Sequence, residues 1–91
     1  MPQFIRAFGY KIYFWSNEDG EPIHFHVTKG DPSKSDTKIW LLSNGSLKLA
    51  HNKSYIPEKD LSKIFFVMQT YYFDFIEYWK SFFNEEIRFY E

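Results

Sequence analysis

The sequence predicts an α+β fold in which an N-terminal antiparallel β-meander packs against a long or kinked C-terminal helical segment. Residues 1–51 alternate strand-forming runs with turn signals, which is typical of an antiparallel sheet. Over 57–84 apolar residues instead recur at spacings of three and four, which indicates helix. At 91 residues, we expect a single domain over 1–91, with 85–91 as a tail or a short strand.

The sheet is expected to begin with two antiparallel strands. The first covers Phe4–Trp15, which is rich in aromatic and β-branched residues, and Gly9 within it marks a bulge or a bend. An acidic turn over 17–20, ending in Asp-Gly, leads to a second strand at Ile23–Thr28.

An exposed loop of breakers and polar residues over 30–35 precedes a third strand, Thr37–Leu42. Asn44-Gly45 then predicts a hairpin with a two-residue type I′ turn, since both positions of such a turn require positive φ. The fourth strand would end near residue 51. We therefore expect three to four strands in the meander.

The helical segment begins at Pro57, which suits a first helical turn because its missing N–H is not needed there. A straight helix over 57–83 would be about 40 Å long. A compact domain of this size is only about 30 Å across. The segment is therefore expected either to break near Thr70–Tyr72, where helix propensity is weak, or to protrude onto a partner.

The composition is unusually aromatic, with eleven Phe, seven Tyr and three Trp making up 23% of the chain. So many rings exceed what a small core readily hides, so some are expected at an interface or in a groove. Residues 1–54 carry seven Lys and Arg against five acids, and residues 55–91 carry four against seven. A net charge of −1 is too mild to indicate nucleic-acid binding.

The sequence also argues against several kinds of covalent link, active site and membrane segment. There are no cysteines, which excludes disulfides, thiolate zinc sites and cysteine nucleophiles. No apolar run reaches the roughly 18 residues needed to span a bilayer, and no basic region followed by an apolar run marks a signal peptide. We therefore expect a cytoplasmic protein with no membrane partner.

The clearest chemical motif is a histidine pair in the segment from Pro22 to Val27. Because side chains alternate faces along a strand, Ile23, Phe25 and Val27 would enter the core, and His24 and His26 would project from the other face. Two imidazoles about 7 Å apart can serve as a general acid and base, or share a metal ion.

A metal site would need further ligands, and the candidates are His51, Asp19, Glu21 and Asp36, none at a diagnostic spacing. No cofactor is predicted, and a divalent metal at the pair is an alternative. A third interpretation of the histidine pair is structural: both are half-exposed polar residues that hydrogen-bond to neighbouring strands.

A mixed surface is expected around this pair. The neighbouring strand would place Tyr13 and Trp15 beside the histidines, and the third strand would add Lys38 and Trp40 if its side-chain parity matches. Such surfaces bind unpaired RNA bases or other proteins. The weak net charge favours a protein. Alternatively, the rings complete an ordinary core. The predicted interface residues are Trp15, Trp40, Tyr72 and Trp79.

Several motifs together resemble the small bacterial proteins catalogued as domain of unknown function 4160. They are Met1-Pro2, Arg6-x-Phe8-Gly9, Pro22-x-His24-Phe25-His26-Val27, and Leu61 with Phe75-Ile76-Glu77-Tyr78-Trp79 in the helix. The connection over 29–37 is longer than is usual in that family, and residues 71–73 are aromatic where members often carry His or charged residues.

The resemblance implies no established activity, since the family has none. It implies a partner, because its members are often encoded beside another small protein in pairs labelled toxin–antitoxin modules. The resemblance implies candidate functional positions where this sequence matches the family's motifs: Arg6, Gly9, Pro22, His24, His26, Glu77 and Trp79.

The leading functional hypothesis is an interaction module rather than an enzyme, acting as a homodimer or as half of a toxin–antitoxin-like pair. The alternative is a ribonuclease-like activity on RNA, in which His24 and His26 act as general acid and base while Arg6 or Lys38 stabilises phosphate charge. A small metal-binding protein that uses the same two histidines is the third hypothesis.

Overall fold

In the part of the chain that the structure describes, five β-strands form one antiparallel meander in the order of the chain and two helices follow them, which confirms the predicted α+β fold. The computed structural model describes residues 4–15, 21–33, 35–83 and 87–90. The elements are β1 (Phe4–Ala7), β2 (Tyr10–Tyr13), β3 (His24–Thr28), β4 (Thr37–Leu41), β5 (Leu47–His51), α1 (Glu58–Thr70) and α2 (Tyr72–Phe82).

The predicted first strand is divided into β1 and β2 by a tight turn, which is why the sheet has five strands rather than three or four. Phe8 has φ 52° and Gly9 has φ 81°, the two positive values that a type I′ turn requires. Ala7 and Tyr10 pair directly across this turn. A bulky residue in the left-handed region costs roughly 1–2 kcal/mol, so Phe8 gives no turn signal in the sequence.

The β4–β5 hairpin has a longer loop than predicted. Only Gly45 has a positive φ, at 89°, and its N–H donates to the Leu42 carbonyl at 3.2 Å. The Leu42 N–H donates to the Ser46 carbonyl at 2.9 Å, which closes a three-residue loop. The predicted two-residue type I′ turn is therefore wrong. The predicted acidic turn over 17–20 lies outside the described residues.

The helical segment breaks at Tyr71, where the sequence predicts it. A straight helix over 58–82 would be about 38 Å long, and the longest dimension of the molecule is 33 Å. The Thr70 hydroxyl donates to the Phe66 carbonyl at 2.7 Å, a bond that bends helices. The Tyr71 N–H still donates to the Val67 carbonyl, so α1 and α2 follow each other closely.

The helices cover one face of the sheet and form the core with it. The fully buried side chains of this layer include Ile12, Phe25 and Ile39 from the sheet. The Tyr10 hydroxyl donates to the Asp60 carboxylate at 2.7 Å and ties β2 to the first turn of α1. Burial and this carboxylate raise the pKa of Tyr10 to about 12.

The opposite face of the sheet is partly covered by the chain that follows α2. Residues 87–90 form no regular strand. They are anchored by one backbone hydrogen bond, in which the Ile23 N–H donates to the Arg88 carbonyl at 2.8 Å. Every residue of β3, the central strand of the sheet, is buried. Within the described part of the chain, neither helix is long and apolar enough to cross a lipid bilayer.

Candidate functional site

The strand register brings the predicted histidine surface together. His26 lies opposite Tyr13 on β2 and opposite Lys38 on β4, and His24 lies opposite Trp40. The core cluster contains Ile23, Phe25 and Val27, as the predicted alternation requires. We call the side of the sheet that carries the histidines the histidine face.

A continuous row of rings crosses the histidine face, with successive centroids about 5 Å apart. The separations are 5.5 Å for Trp15–Tyr13, 5.4 Å for Tyr13–His26, 5.1 Å for His26–His24, 5.4 Å for His24–Trp40 and 4.8 Å for Trp40–Tyr90. The last pair is stacked, with only 9° between the ring planes. Trp15 and Trp40, both predicted interface residues, therefore lie on the same face as the histidines.

The two histidines are buried beneath these rings rather than half-exposed. The exposed fraction is 0% for His24 and 8% for His26. His24 Nδ1 donates to the Pro22 carbonyl at 2.9 Å, and its Nε2 lies 3.5 Å from the Glu21 carboxylate. The His24 and Trp79 rings also pack against each other, with 5.4 Å between their centroids. These contacts enclose the His24 side chain, so it has no exposed surface at which a substrate could bind.

Of the other residues predicted to act at the pair, Glu21 lies beside His24 and Lys38 lies opposite His26, and the remaining ones have other surroundings. Among the described residues, no group of three or more His, Asp and Glu could hold a metal ion. The Asp36 carboxylate is buried and accepts hydrogen bonds from the Tyr13 hydroxyl and, at 2.8 Å, from the Ser33 N–H. Arg6 on β1 lies opposite Lys11 on β2, and β1 is two strands away from β3, which carries the histidines. Asp19 lies outside the described residues.

Positive charge is concentrated on the histidine face. The alternation and the register place four cations on it, namely Arg6, Lys11, Lys38 and Lys48. The described acids of the second half of the chain lie on the helices instead, on the other side of the sheet: Glu58, Asp60, Asp74 and Glu77. Among the described residues, the sheet thus separates these four cations from these four carboxylates.

Burial, together with neighbouring positive charge, lowers the pKa of His51. Partial burial is the largest cause and lowers the pKa below its usual 6.5, and nearby Lys53, His26 and Lys38 lower it further. Lys38 lies directly opposite His51 in the sheet. The protonated imidazole is therefore disfavoured in the folded protein.

The lowered pKa of His51 predicts a loss of stability in mild acid. As the pH falls below about 6.5, the unfolded chain binds a proton at His51 before the folded protein does, so the free energy of unfolding decreases. The decrease continues down to the lowered pKa of the folded state. Urea titrations from pH 7.5 to pH 5 should show a shallower decrease for His51→Gln than for the unmodified protein. Parallel curves would contradict the prediction.

The helices present a second surface that the sequence analysis missed. Five exposed residues, Lys63, Phe66, Thr70, Phe73 and Glu77, lie at alternating spacings of three and four along the helices. We call them the helical stripe. At one end of this row, the Lys63 Nζ lies 5.7 Å from the ring centroid of Phe8 on the β1–β2 turn. Phe66 is 68% and Phe73 is 79% exposed.

The predicted interface residues on the helices are buried instead. Tyr72 and Trp79 are 6% and 4% exposed, and the Tyr72 hydroxyl donates to the Leu42 carbonyl on the sheet. Their spacing of seven places them together on the side of the helix that the sheet covers. The same spacing links Phe66 to Phe73, so the spacing groups each pair on one side of the helix and does not tell which pair the sheet covers.

An apolar groove of about 520 Å³ borders the helical stripe. Leu49 on β5 forms one wall, and Leu61, Phe65 and Phe66 on α1 form the other. The groove lies on the side of the sheet away from the buried histidines, because Leu49 pairs with the core residue Ile39.

Comparison with known proteins identifies one similarity. A family model described as "Domain of unknown function (DUF4160)" matches residues 9–80. The match includes β2 to β5, α1 and most of α2, and with them the histidine pair and the helical stripe. No curated protein and no solved structure matches this chain.

Proposed function

The chain belongs to the family described as domain of unknown function DUF4160, and from that premise we propose that it is a small interaction module that pairs with a second copy of itself through the helical stripe. The observation that carries the proposal is the exposure of two large apolar rings, Phe66 and Phe73, on one side of the helices. Rings that remain so exposed in a small domain are typical of a protein interface.

The spacing of the helical stripe supports helix-to-helix packing. Positions 63, 66, 70, 73 and 77 repeat at three and four, the pattern by which two helices contact each other along a shared seam. Helical hydrogen bonds flank the break on both sides, from the Tyr71 N–H to the Val67 carbonyl and from the Phe75 N–H to the Tyr71 carbonyl. The stripe therefore continues from α1 to α2.

The helical stripe is complementary to itself when it is reversed. Lys63 and Glu77 each lie seven residues from Thr70, on opposite sides of it. A two-fold axis at Thr70 sets two copies antiparallel, so that Phe66 of one copy packs near Phe73 of the other. The same rotation brings each Lys63 to the partner's Glu77. The small Thr70 side chain at the centre lets the helices approach.

The outer edge of β5 is a less suitable surface for self-pairing. The strand contains a bulge opposite Lys38 and Ile39. Lys48 is exposed on β5, and Lys53 is exposed just after it. Bulges and lysines are the features by which natural sheets prevent edge-to-edge association. We therefore assign the contact between copies to the helices.

A second candidate is that the protein is one component of a two-protein, toxin–antitoxin-like pair. The apolar groove favours it, because Leu49, Leu61 and Phe65 form a concave site beside the helical stripe. A helix with an apolar face would fit such a site. The partner in this case is the small protein encoded next to this one.

Charge reversal within the helical stripe tests the proposed pairing. We expect light scattering after size exclusion to give a mass that rises towards twice 11.1 kDa with concentration. Lys63→Glu and Glu77→Lys should each shift the protein towards the monomer by about three- to tenfold in dissociation constant, since each leaves two like-charge contacts in the dimer. The double variant should pair again, because each contact between positions 63 and 77 then joins opposite charges in the reversed order.

Lys29→Glu, which changes an exposed lysine outside the stripe, is the matched control and should behave as the unmodified protein. A monomer at all concentrations that forms a complex with the encoded neighbour would reject self-pairing in favour of the second candidate. A protein that stays monomeric and does not bind the encoded neighbour would reject both self-pairing and the second candidate.

A further inference from the structure

We propose that the histidine face binds single-stranded nucleic acid, with bases stacking against Trp40 and Tyr90 and phosphates contacting Lys38 and Lys48. This surface lies on the opposite side of the sheet from the helical stripe. The inference therefore does not depend on the proposed pairing of two copies.

The stacked pair Trp40–Tyr90 provides the aromatic platform. The two rings are nearly parallel, at 9° and 4.8 Å between centroids. Trp40 is partly exposed, and Tyr90 is 49% exposed. A base that stacks on this platform continues a stack which the protein has already ordered. Base–aromatic stacking of this kind tolerates any sequence, because every base has a flat π-face.

A lysine accompanies each ring of the platform. Lys38 Nζ lies 4.4 Å from the Trp40 ring centroid, and Lys48 Nζ lies 5.1 Å from that of Tyr90. An unpaired strand presents the same alternation, with a base followed by a phosphate. His51, which pairs with Lys38 across the sheet, adds a group that an anion would help to protonate.

Two described carboxylates beside the histidine face are engaged by neighbouring groups. The Asp36 carboxylate accepts hydrogen bonds from the Tyr13 hydroxyl and the Ser33 N–H, and the Glu21 carboxylate faces His24. The described acids of the helices lie beyond the sheet. A nucleic acid fits better than an acidic protein segment, because the flat stacked rings would have no role in binding carboxylates alone.

The buried histidines have a positioning role in this inference. His24 packs against Trp40 at 5.4 Å, and His26 packs against Tyr13 at the same distance. Both rings thereby fix the aromatic surface above them. Because His24 has no exposed surface, we expect the protein to bind an RNA strand without cutting it.

Fluorescence anisotropy with labelled oligouridine and oligothymidine of about 12 residues tests the inference, since a single binding fold covers about 4–16 nucleotides. We expect micromolar dissociation constants that rise with salt between about 50 and about 200 mM. Trp40→Ala should weaken binding about tenfold, and Trp40→Phe about two- to threefold. Lys38→Gln and Lys48→Gln should each reduce the slope of log affinity against log salt by about 0.7.

Lys80→Gln on α2 removes an exposed lysine outside the histidine face and should leave both affinity and slope unchanged. Thermal melting of each variant separates a loss of contact from a loss of fold. The inference is supported whether the protein prefers RNA, prefers DNA or binds both, and the two probes distinguish these cases. Equal binding of a polyglutamate peptide, or full affinity in Lys38→Gln and Trp40→Phe, would overturn it.

Discussion

Replacing Phe14 with alanine is expected to lower the free energy of unfolding by about 3–5 kcal/mol, which is typical for a large ring removed from a core. Phe14 is 1% exposed and follows the last residue of β2. Its ring centroid lies 5.0–5.6 Å from those of five other aromatic side chains: Phe25, Tyr78, Trp79, Phe82 and Phe83. One residue therefore joins β3 to the C-terminal half of α2.

The loss would be a large part of the total, since small domains are stable by only about 5–15 kcal/mol. Urea denaturation followed by circular dichroism measures it. Tyr55→Ala, which removes a ring that is 88% exposed, is the control and should change the free energy of unfolding by less than about 0.5 kcal/mol. Phe14→Leu should fall between the two. Equal stability of Phe14→Ala and Tyr55→Ala would show that the ring is not central to the core.

The double substitution Phe66→Ser/Phe73→Ser is expected to abolish self-association. Two copies contribute four of these rings to the proposed interface, and a fully buried phenylalanine contributes about 1.5–3 kcal/mol. Partial burial of all four still predicts a loss of at least about 3 kcal/mol, or more than about a hundredfold in the dissociation constant. The fold should persist, because both side chains project into solvent.

Sedimentation equilibrium gives the mass of the double variant, and circular dichroism confirms its helices. Tyr55→Ser, an equally drastic change at an exposed ring outside the helical stripe, should leave self-association intact. If the double variant associates as strongly as the unmodified protein, the interface lies elsewhere. The groove lined by Leu49 and Leu61 would then be the next surface to vary.

Much of the histidine face could be predicted from the sequence. Strand alternation alone sets His24 and His26 apart from Phe25, and the structure confirms this division. Whether Trp40 joined them depended on the register of β4, which is set by pairing between residues far apart in the chain. The burial of His24 also required the tertiary structure, because Trp40 and Trp79, which are distant from it in the chain, pack against its ring.

The sequence was less informative about turns and surfaces. The β1–β2 turn at Phe8-Gly9 was read as a bulge or a bend, since a phenylalanine with φ 52° contradicts local preference. Net charge argued against nucleic acid as a ligand. That argument weakened only when folding placed Lys38 and Lys48 on one side of the sheet and the described helical acids on the other.

The sequence by itself determined the change from sheet to helices, the alternation along β3 and the weak point of the helical segment near Thr70–Tyr72, because these depend on residues within a few positions of one another. Only the tertiary structure decided which aromatic rings are covered. Tyr72 and Phe73 are adjacent and chemically similar, and yet the first is buried and the second is 79% exposed. Which of the two enters the core depends on the side from which the sheet approaches the helix, and residues distant in the chain decide that.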